Sequence, residues 1–326
     1  MRRPIRTGRY AGYISLRGGW PLLSYTMRRN LWTSLLRRFM AARMIGEDDV
    51  RKFVPSRRRD SRKGENGKVL VVGGSYIYHG APIFSSVAAL RSGCDLVYTA
   101  VPKINAPATR AASPSMIVIP LADQKLTRGA ARKLAGQIPT GLDSATIGMG
   151  LAIAERSALK VLVVALVDMD VRISLDAGAL VREILGDISG KNCLVTPHAG
   201  EFKRLFGESP PADIEGRASM VERLAQEHGI TILLKGPTDV ISDGNRTLLN
   251  DRGAPAMTVG GTGDVLSGIA AGILARNRSP LESAAAAAYI NGLAGEAAQE
   301  MHGLHITAMD LCELLPSVMK PFDRLE

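Results

Sequence analysis

Residues 258–268 read Thr258-Val259-Gly260-Gly261-Thr262-Gly263-Asp264-Val265-Leu266-Ser267-Gly268, and the segment Val265 to Leu274 behind them is Ala-rich with helix-compatible apolar spacing. Glycines let the backbone turn tightly, so successive N–H groups can point into one concavity. If Asp264 and Val265 open a helix, that concavity sits at the positive end of the helix dipole and suits an anion. A carboxylate inside an anion site reads as a base aimed at an attacking hydroxyl. The same residues also read as a Gly-rich turn with Asp264 as an ordinary N-cap. Short motifs of this kind are hypotheses until their context is known.

That context lies upstream. Val69-Leu70-Val71-Val72 is a short apolar run that predicts a buried strand beginning at Lys68, and Gly73-Gly74-Ser75 follows it. Ala81 to Gly93 then reads as a helix and Leu96 to Ala100 as the next strand. This punctuation predicts an α/β fold, a mostly parallel sheet with helices on both faces. Further strand signals are Met116 to Pro120, the run ending at Gly148-Met149-Gly150, Val171 to Leu175 ahead of Asp176, and Ile230 to Lys235, while Cys193 to Phe202 reads as strand, turn and helix start. Residues 155–168 read as a helix, 240–250 as a hairpin, and 264–275 and 281–300 as two Ala-rich helices. Several strands end in glycines or polar residues, which a parallel sheet gathers along one edge as a single cleft. Phosphoryl transfer needs such parts: donors along the phosphates, a cation or metal, and a base at the nucleophile. The first glycine turn is not a GxGxxG fingerprint.

Composition narrows the alternatives. In 326 residues, 46% of them apolar, the chain can build one large core. Its charge is uneven: residues 1–62 hold sixteen Lys and Arg against four Asp and Glu, whereas the remainder carries a net −2. The basic balance therefore belongs to the N-terminal segment, and nucleic acid is disfavoured as a partner of the body. Residues 1–62 are expected to be a disordered extension or to begin at a start codon set too early, with Met27 and Met40 as alternative starts. An Arg-rich transit peptide is the other reading. The cluster Arg57-Arg58-Arg59 near the end of this segment reads as a solvated face. Residues 63–326 are expected to form one domain. Cys94, Cys193 and Cys312 have no disulfide or zinc spacing, which reads as a reducing, cytoplasmic setting, and no apolar run approaches the length of a bilayer span.

The order and wording of the motifs are more selective than any one of them. The pieces Gly67-Lys68-Val69-Leu70-Val71-Val72-Gly73-Gly74-Ser75 with Gly80-Ala81-Pro82, Thr196-Pro197-His198-Ala199-Gly200-Glu201-Phe202, Leu234-Lys235-Gly236 and Gly260 to Gly268 occur in this order, with Asn291-Gly292-Leu293-Ala294-Gly295 behind them. In these, the body resembles the ADP/ATP-dependent NAD(P)H-hydrate dehydratases of the ribokinase-like superfamily. The chain departs from that family's pattern at Ala199, where proline is usual, at Gly178, where aspartate is usual, and in the turn Gly148-Met149-Gly150-Leu151-Ala152. Nothing in residues 1–60 corresponds to the epimerase domain often fused to such enzymes.

The resemblance implies repair of hydrated NADH and NADPH. Asp264 would take the proton from the ring hydroxyl as that oxygen attacks the terminal phosphate of ADP or ATP, and the phosphate would then be eliminated. The Gly260, Gly261, Thr262 and Gly263 amides would form the anion hole, Lys235 and Gly236 would lie at the nucleotide, and Mg²⁺ would bridge its phosphates rather than sit in a protein cage. Gly74, Ser75, Tyr78, Ala81, Gly150, His198 and Glu201, with Asp264, would line the substrate cleft. A separate epimerase and a homo-oligomer are implied as partners. Singly, His198 and Glu201 also read as helix-start groups, and Asp176 as a helix cap outside the catalytic set. A hydroxyethylthiazole- or hydroxymethylpyrimidine-type kinase of the same fold is the alternative, sharing Asp264 and the anion loop but releasing a phosphorylated product.

Overall fold

The computed structural model describes residues 42–326. The expected disorder or early start of residues 1–41, Met27 and Met40 included, lies outside the described residues. Strands are β1 Arg43–Met44, β2 Lys68–Val72, β3 Leu96–Pro102, β4 Met116–Leu121, β5 Ser144–Ile147, β6 Arg172–Leu175, β7 Cys193–Val195, β8 Thr231–Leu234, β9 Asp239–Ser242 and β10 Thr247–Asn250. Helices are α1 Glu47–Phe53, α2 Ala81–Arg91, α3 Ala106–Ala112, α4 Arg128–Ala135, α5 Arg156–Asp168, α6 Leu185–Ile188, α7 Ala199–Phe206, α8 Ile214–His228, α9 Thr262–Asn277, α10 Pro280–His302 and α11 Ala308–Met319.

The strands form one sheet in the order β1-β10-β9-β8-β7-β6-β5-β2-β3-β4. Every neighbouring pair is parallel except those made by β9, which runs against β8 and β10. From β2 the chain winds outward through β3 and β4, then returns to the other side of β2 and winds outward from β5 to β8. The reversal puts a topological switch point between β2 and β5, where open α/β sheets bind ligands. The strands are apolar at successive positions because both faces are covered: Leu70 and Val72 belong to one core, with Leu159, Leu162 and Phe202, while Val69 and Val71 belong to the other side, with Met149 and Ala271. The expected parallel α/β architecture is therefore the one observed.

Helix α9 is the central helix of the second face. Val265 through Ala275 are all buried, which is why its sequence is apolar all round rather than striped. It lies so close to α2 that a Cβ on Gly268 would overlap the Ser85 carbonyl oxygen. The Ser85 hydroxyl donates to the Asp264 carbonyl at 2.7 Å, and Thr146 Oγ1 lies 2.6 Å from Ser267 Oγ, tying α9 to α2 and β5. The first turn of α9 is thus fixed from two sides.

Two expectations need correction. Residues 43–62, read from the sequence as part of the N-terminal extension, fold with the body. Strand β1 pairs in parallel with β10 through Arg43–Leu248 and Met44–Leu249, and Ile45, Val50, Phe53 and Val54 are buried in the α9–α10 core. Two of the arginines among the described residues of this segment form ion pairs at its surface, Arg43 with Asp49 and Arg57 with Asp95. Helix α9 also starts two residues earlier than expected, with Gly261 at its N-cap in a left-handed conformation at φ 102° and Asp264 inside the first turn.

Candidate active site

The carboxyl ends of the parallel strands carry the site. Beyond β6 lies Asp176, beyond β7 Thr196 and the start of α7, and beyond β8 Lys235. Because β6, β7 and β8 are adjacent, residues far apart in sequence meet. Lys235 Nζ lies 3.0 Å from Asp176 Oδ1 and 3.6 Å from Glu201 Oε2. The Thr196 hydroxyl donates to the same Asp176 oxygen at 2.9 Å, and the Lys235 amide donates to the Pro197 carbonyl at 2.8 Å. Asp264 faces this group from the first turn of α9, close enough for its charge to act on Lys235 and for Asp176 and Glu201 to act on it.

Three carboxyl groups thus surround one ammonium. Burial, with the negative charge of Asp176 next and that of Glu201 adding to it, pushes the Asp264 carboxyl from 3.8 up to about 7, against the opposing pull of Lys235. On Lys235, burial alone acts downward, but Asp176, Glu201 and Asp264 outweigh it and the net direction is up. Lys235 therefore stays charged while Asp264 exchanges its proton near neutrality, which is where a general base works best.

His198 and Glu201 play the local role that their position before a helix allowed. His198 caps α7, its Nδ1 accepting from the Gly200 amide at 3.0 Å and from the Glu201 amide at 3.4 Å, while Glu201 Oε2 accepts from the His198 amide at 2.9 Å. With Nδ1 accepting, a neutral imidazole carries its proton on Nε2, 3.5 Å from Glu201 Oε1. The cap is thereby a device that aims Glu201 at Lys235 and leaves the His198 ring largely exposed in the cleft.

On the other side of Asp264 is the switch-point crevice. The Gly74 amide donates to the Met149 carbonyl at 2.9 Å, and Ser75 Oγ accepts from the Tyr78 amide at 3.2 Å. The loop after β2 passes directly over the loop after β5. Gly150, at φ 62°, would bring a Cβ within 2.7 Å of Tyr78 Cβ and 3.1 Å of Ala81 Cβ. Gly74, Ser75, Tyr78, Ala81 and Gly150 are therefore one cluster, with the Tyr78 side chain exposed above it.

Beside Lys235 and Gly263 opens a cavity of about 540 Å³, within the range of small-molecule sites. Lys235, Gly236, Thr262 and Gly263 line it, with Asp239 bonded to the Gly236 amide and Asn291 to the Thr262 carbonyl, and Met257 beside them. Two neighbours of Gly236 carry no motif signal in the sequence: Asp239, whose carboxylate accepts from the Gly236 amide at 3.0 Å, and Arg217, whose guanidinium lies against Gly236. Asp176 stands at the N-cap of a short 3₁₀ turn, Ala177–Ala179, but its side chain makes no cap bond there. It is the 3.0 Å partner of Lys235 and a cause of the Asp264 shift. Among the described residues no group of three His, Cys, Asp or Glu side chains is arranged to hold a metal ion. The site fits Mg²⁺ carried largely by nucleotide phosphates, with one or two of the carboxylates beside Lys235 at hand, as is usual for that cation.

Comparison with known proteins gives the family and the fold. Residues 69–317 match the family model described as NAD(P)H-hydrate dehydratase. The chain is 64% identical over 286 residues to the ADP-dependent (S)-NAD(P)H-hydrate dehydratase of Nitrosopumilus maritimus, covering 88% of this chain and 100% of that protein. It is 44% identical over 281 residues to the bifunctional NAD(P)H-hydrate repair enzyme Nnr of Pyrobaculum aerophilum, covering 86% of this chain but 56% of the relative. Among solved structures it superimposes with a TM-score of 0.76 and 28% identity on the ADP/ATP-dependent NAD(P)H-hydrate dehydratase from Bacillus subtilis co-crystallized with ATP and Mg²⁺, covering 87% of this chain and 100% of that one. The fold is ribokinase-like. The Gly260–Gly263 loop, the half-buried Lys235 and the switch-point crevice thus occur together in a chain that belongs to the NAD(P)H-hydrate dehydratase family.

Proposed function

We propose that this protein restores NADH and NADPH from their hydrates, using ADP as phosphoryl donor. The observation that carries the proposal is the place of Asp264: a carboxyl that titrates near neutrality, at the N-terminus of α9, between a nucleotide-sized cavity and the switch-point crevice. The nucleotide lies in the 540 Å³ cavity with its phosphates toward Lys235, Gly236 and Gly263. The hydrated nicotinamide lies in the crevice against Gly74, Ser75, Tyr78, Ala81 and Gly150, with His198 and Glu201 at its edge.

Asp264 accepts the proton of the ring hydroxyl as that oxygen forms a bond to the terminal phosphorus, and the bond from that phosphorus to the bridging oxygen of ADP breaks to leave AMP. The amides of Gly260, Gly261, Thr262 and Gly263, together with the Lys235 ammonium, stabilise the charge of the transferred group. The ring nitrogen's lone pair then expels the phosphate, and loss of the ring proton restores the double bond. Mg²⁺, when bound with the nucleotide, supplies charge neutralisation that a site with three carboxyl groups and one ammonium lacks. Asp176 and Glu201 hold Lys235 in place and keep Asp264 protonatable.

The N. maritimus relative is named for ADP and for the S epimer, and both assignments are carried here by its 64% identity. An epimerase supplying that epimer, a homo-oligomeric assembly and a cytoplasmic setting complete the reading. The test is recovery of absorbance at the reduced-nicotinamide band from NADH hydrate and Mg²⁺, with ADP and ATP in separate cuvettes. Recovery with ADP, abolished in Asp264→Asn, is the expected result. A folded, nucleotide-binding protein that recovers nothing with either nucleotide overturns the proposal.

A further inference from the structure

At the far end of α9 a second cavity, of about 370 Å³, opens between the last turns of α2 and α9, the segment after α1 and the C-terminal tail. The helical rise places Arg276 about 18 Å from Asp264, so this cavity is separate from the reaction cleft. Four arginines are among the residues that line it: Arg57, Arg91, Arg276 and Arg324. Val54, Pro316 and Met319 make its apolar wall.

The intramolecular bonds of these arginines occupy only part of each fork. Arg57 Nη2 donates to the Gly93 carbonyl at 2.9 Å and to Asp95 Oδ1 at 3.0 Å. Arg276 Nη2 donates to the carbonyls of Pro55 at 2.9 Å and Ser56 at 3.2 Å, and Arg324 Nη2 to that of Val54 at 2.9 Å. A guanidinium has five N–H donors, so each side chain keeps donors in reserve. Among the described residues Arg91, Arg276 and Arg324 have no ion-pair partner within 4 Å. Of the nearby carboxylates, Asp95 is already held by Arg57 and by the Gly64 and Asn66 amides, and Asp323 lies on the lining. Burial, and after it the charge of Arg57, holds Arg276 below its ordinary range, and the opposing charges of Asp95 and Asp323 do not offset them. Each arginine alone would pass as a brace for a helix C-terminus. Bracing, however, does not account for a cavity bordered by four arginines.

We propose that this cavity binds a small organic phosphate, its phosphate on the arginine cluster and its body against Val54, Pro316 and Met319. Guanidinium forks match phosphate oxygens in pairs, and the volume lies within the range of small-ligand sites.

The test is calorimetric titration of the full chain with phenyl phosphate, and separately with inorganic phosphate, for the unaltered protein, Arg91→Ala/Arg324→Ala, and Lys235→Met. The expected result is phenyl phosphate binding that persists in Lys235→Met and weakens by roughly tenfold or more in the double variant. Inorganic phosphate is expected to bind more weakly, for want of the apolar wall. Arg91→Glu alters an exposed side chain with no intramolecular hydrogen bond among the described residues, and it gives the same answer without disturbing packing. Equal affinity in all these proteins, loss in Lys235→Met alone, or inorganic phosphate binding as tightly as phenyl phosphate would each overturn the proposal.

Discussion

Replacing Asp264 by Asn is expected to inactivate the enzyme and to stabilise it, by an amount that grows with pH. The native carboxyl binds its proton up to about pH 7, whereas the unfolded chain releases it near 3.8. Between those values the native state holds more protons than the unfolded state, so raising the pH subtracts stability. The loss begins near 3.8, accumulates at about 1.4 kcal/mol per pH unit, and is complete above about 7. From pH 5 to pH 8 it amounts to about 2–3 kcal/mol. The asparagine side chain of the variant carries no charge and escapes this loss. For a body of this size the difference corresponds to about 5 °C in melting temperature. Calorimetric melting of both proteins at pH 5, 6, 7 and 8 measures it, and all other titrating groups cancel in the comparison to first order. Melting curves that stay parallel across this range would refute the claim that the site holds Asp264 in its protonated form.

The same titration governs turnover. In the unaltered enzyme kcat/KM is expected to rise with unit slope as pH approaches about 7 and to flatten above it, and Asp264→Asn to lower kcat by about 10²–10⁴-fold, both read by the absorbance assay. Lys235→Met leaves Asp176 and Glu201 without their shared cation. It is expected to move the activity limb upward in pH, to reduce kcat by about 10²–10³-fold, and to cost about 3–5 kcal/mol in urea unfolding. Gly268→Ala forces α2 and α9 apart at the Ser85 carbonyl and is expected to destabilise by about 1–3 kcal/mol while leaving nucleotide binding measurable by calorimetry. A chain beginning at Lys63 loses the buried Ile45, Val50, Phe53 and Val54, each contributing about 1.5–3 kcal/mol, and is expected to yield no cooperative melting transition.

The parts of the site that are legible in the sequence are those where backbone chemistry is local. Glycines 260, 261 and 263 ahead of Asp264, the helix start at His198 and the glycine turns after β2 and β5 each declare their conformation within a few residues. Asp176 does not, because its importance comes from strand adjacency. Only the order β6-β7-β8 brings it to Lys235, and nothing near Asp176 in the chain distinguishes it from an ordinary cap. Arg217 and Asp239 are hidden for the same reason. In the segment 43–62 charge misleads: arginines dominate its composition, while four apolar residues among them decide that it folds. The same arithmetic of charge conceals Arg57, which reads as part of a solvated face and stands at a cavity with Arg276.

The two residues of β1 do more than lengthen the sheet. Strand β10 would otherwise be its last member, offering a row of unpaired amides and carbonyls to any extended chain. The opposite edge, β4, has Pro120 in place of one of those donors. A chain lacking residues 43–44 would therefore gain an open template, and its failure would take the form of strand exchange between copies: intermolecular β-structure growing with protein concentration, where a merely weakened core would unfold at a concentration-independent temperature. Strand β1 in this light guards the β10 edge against strand exchange.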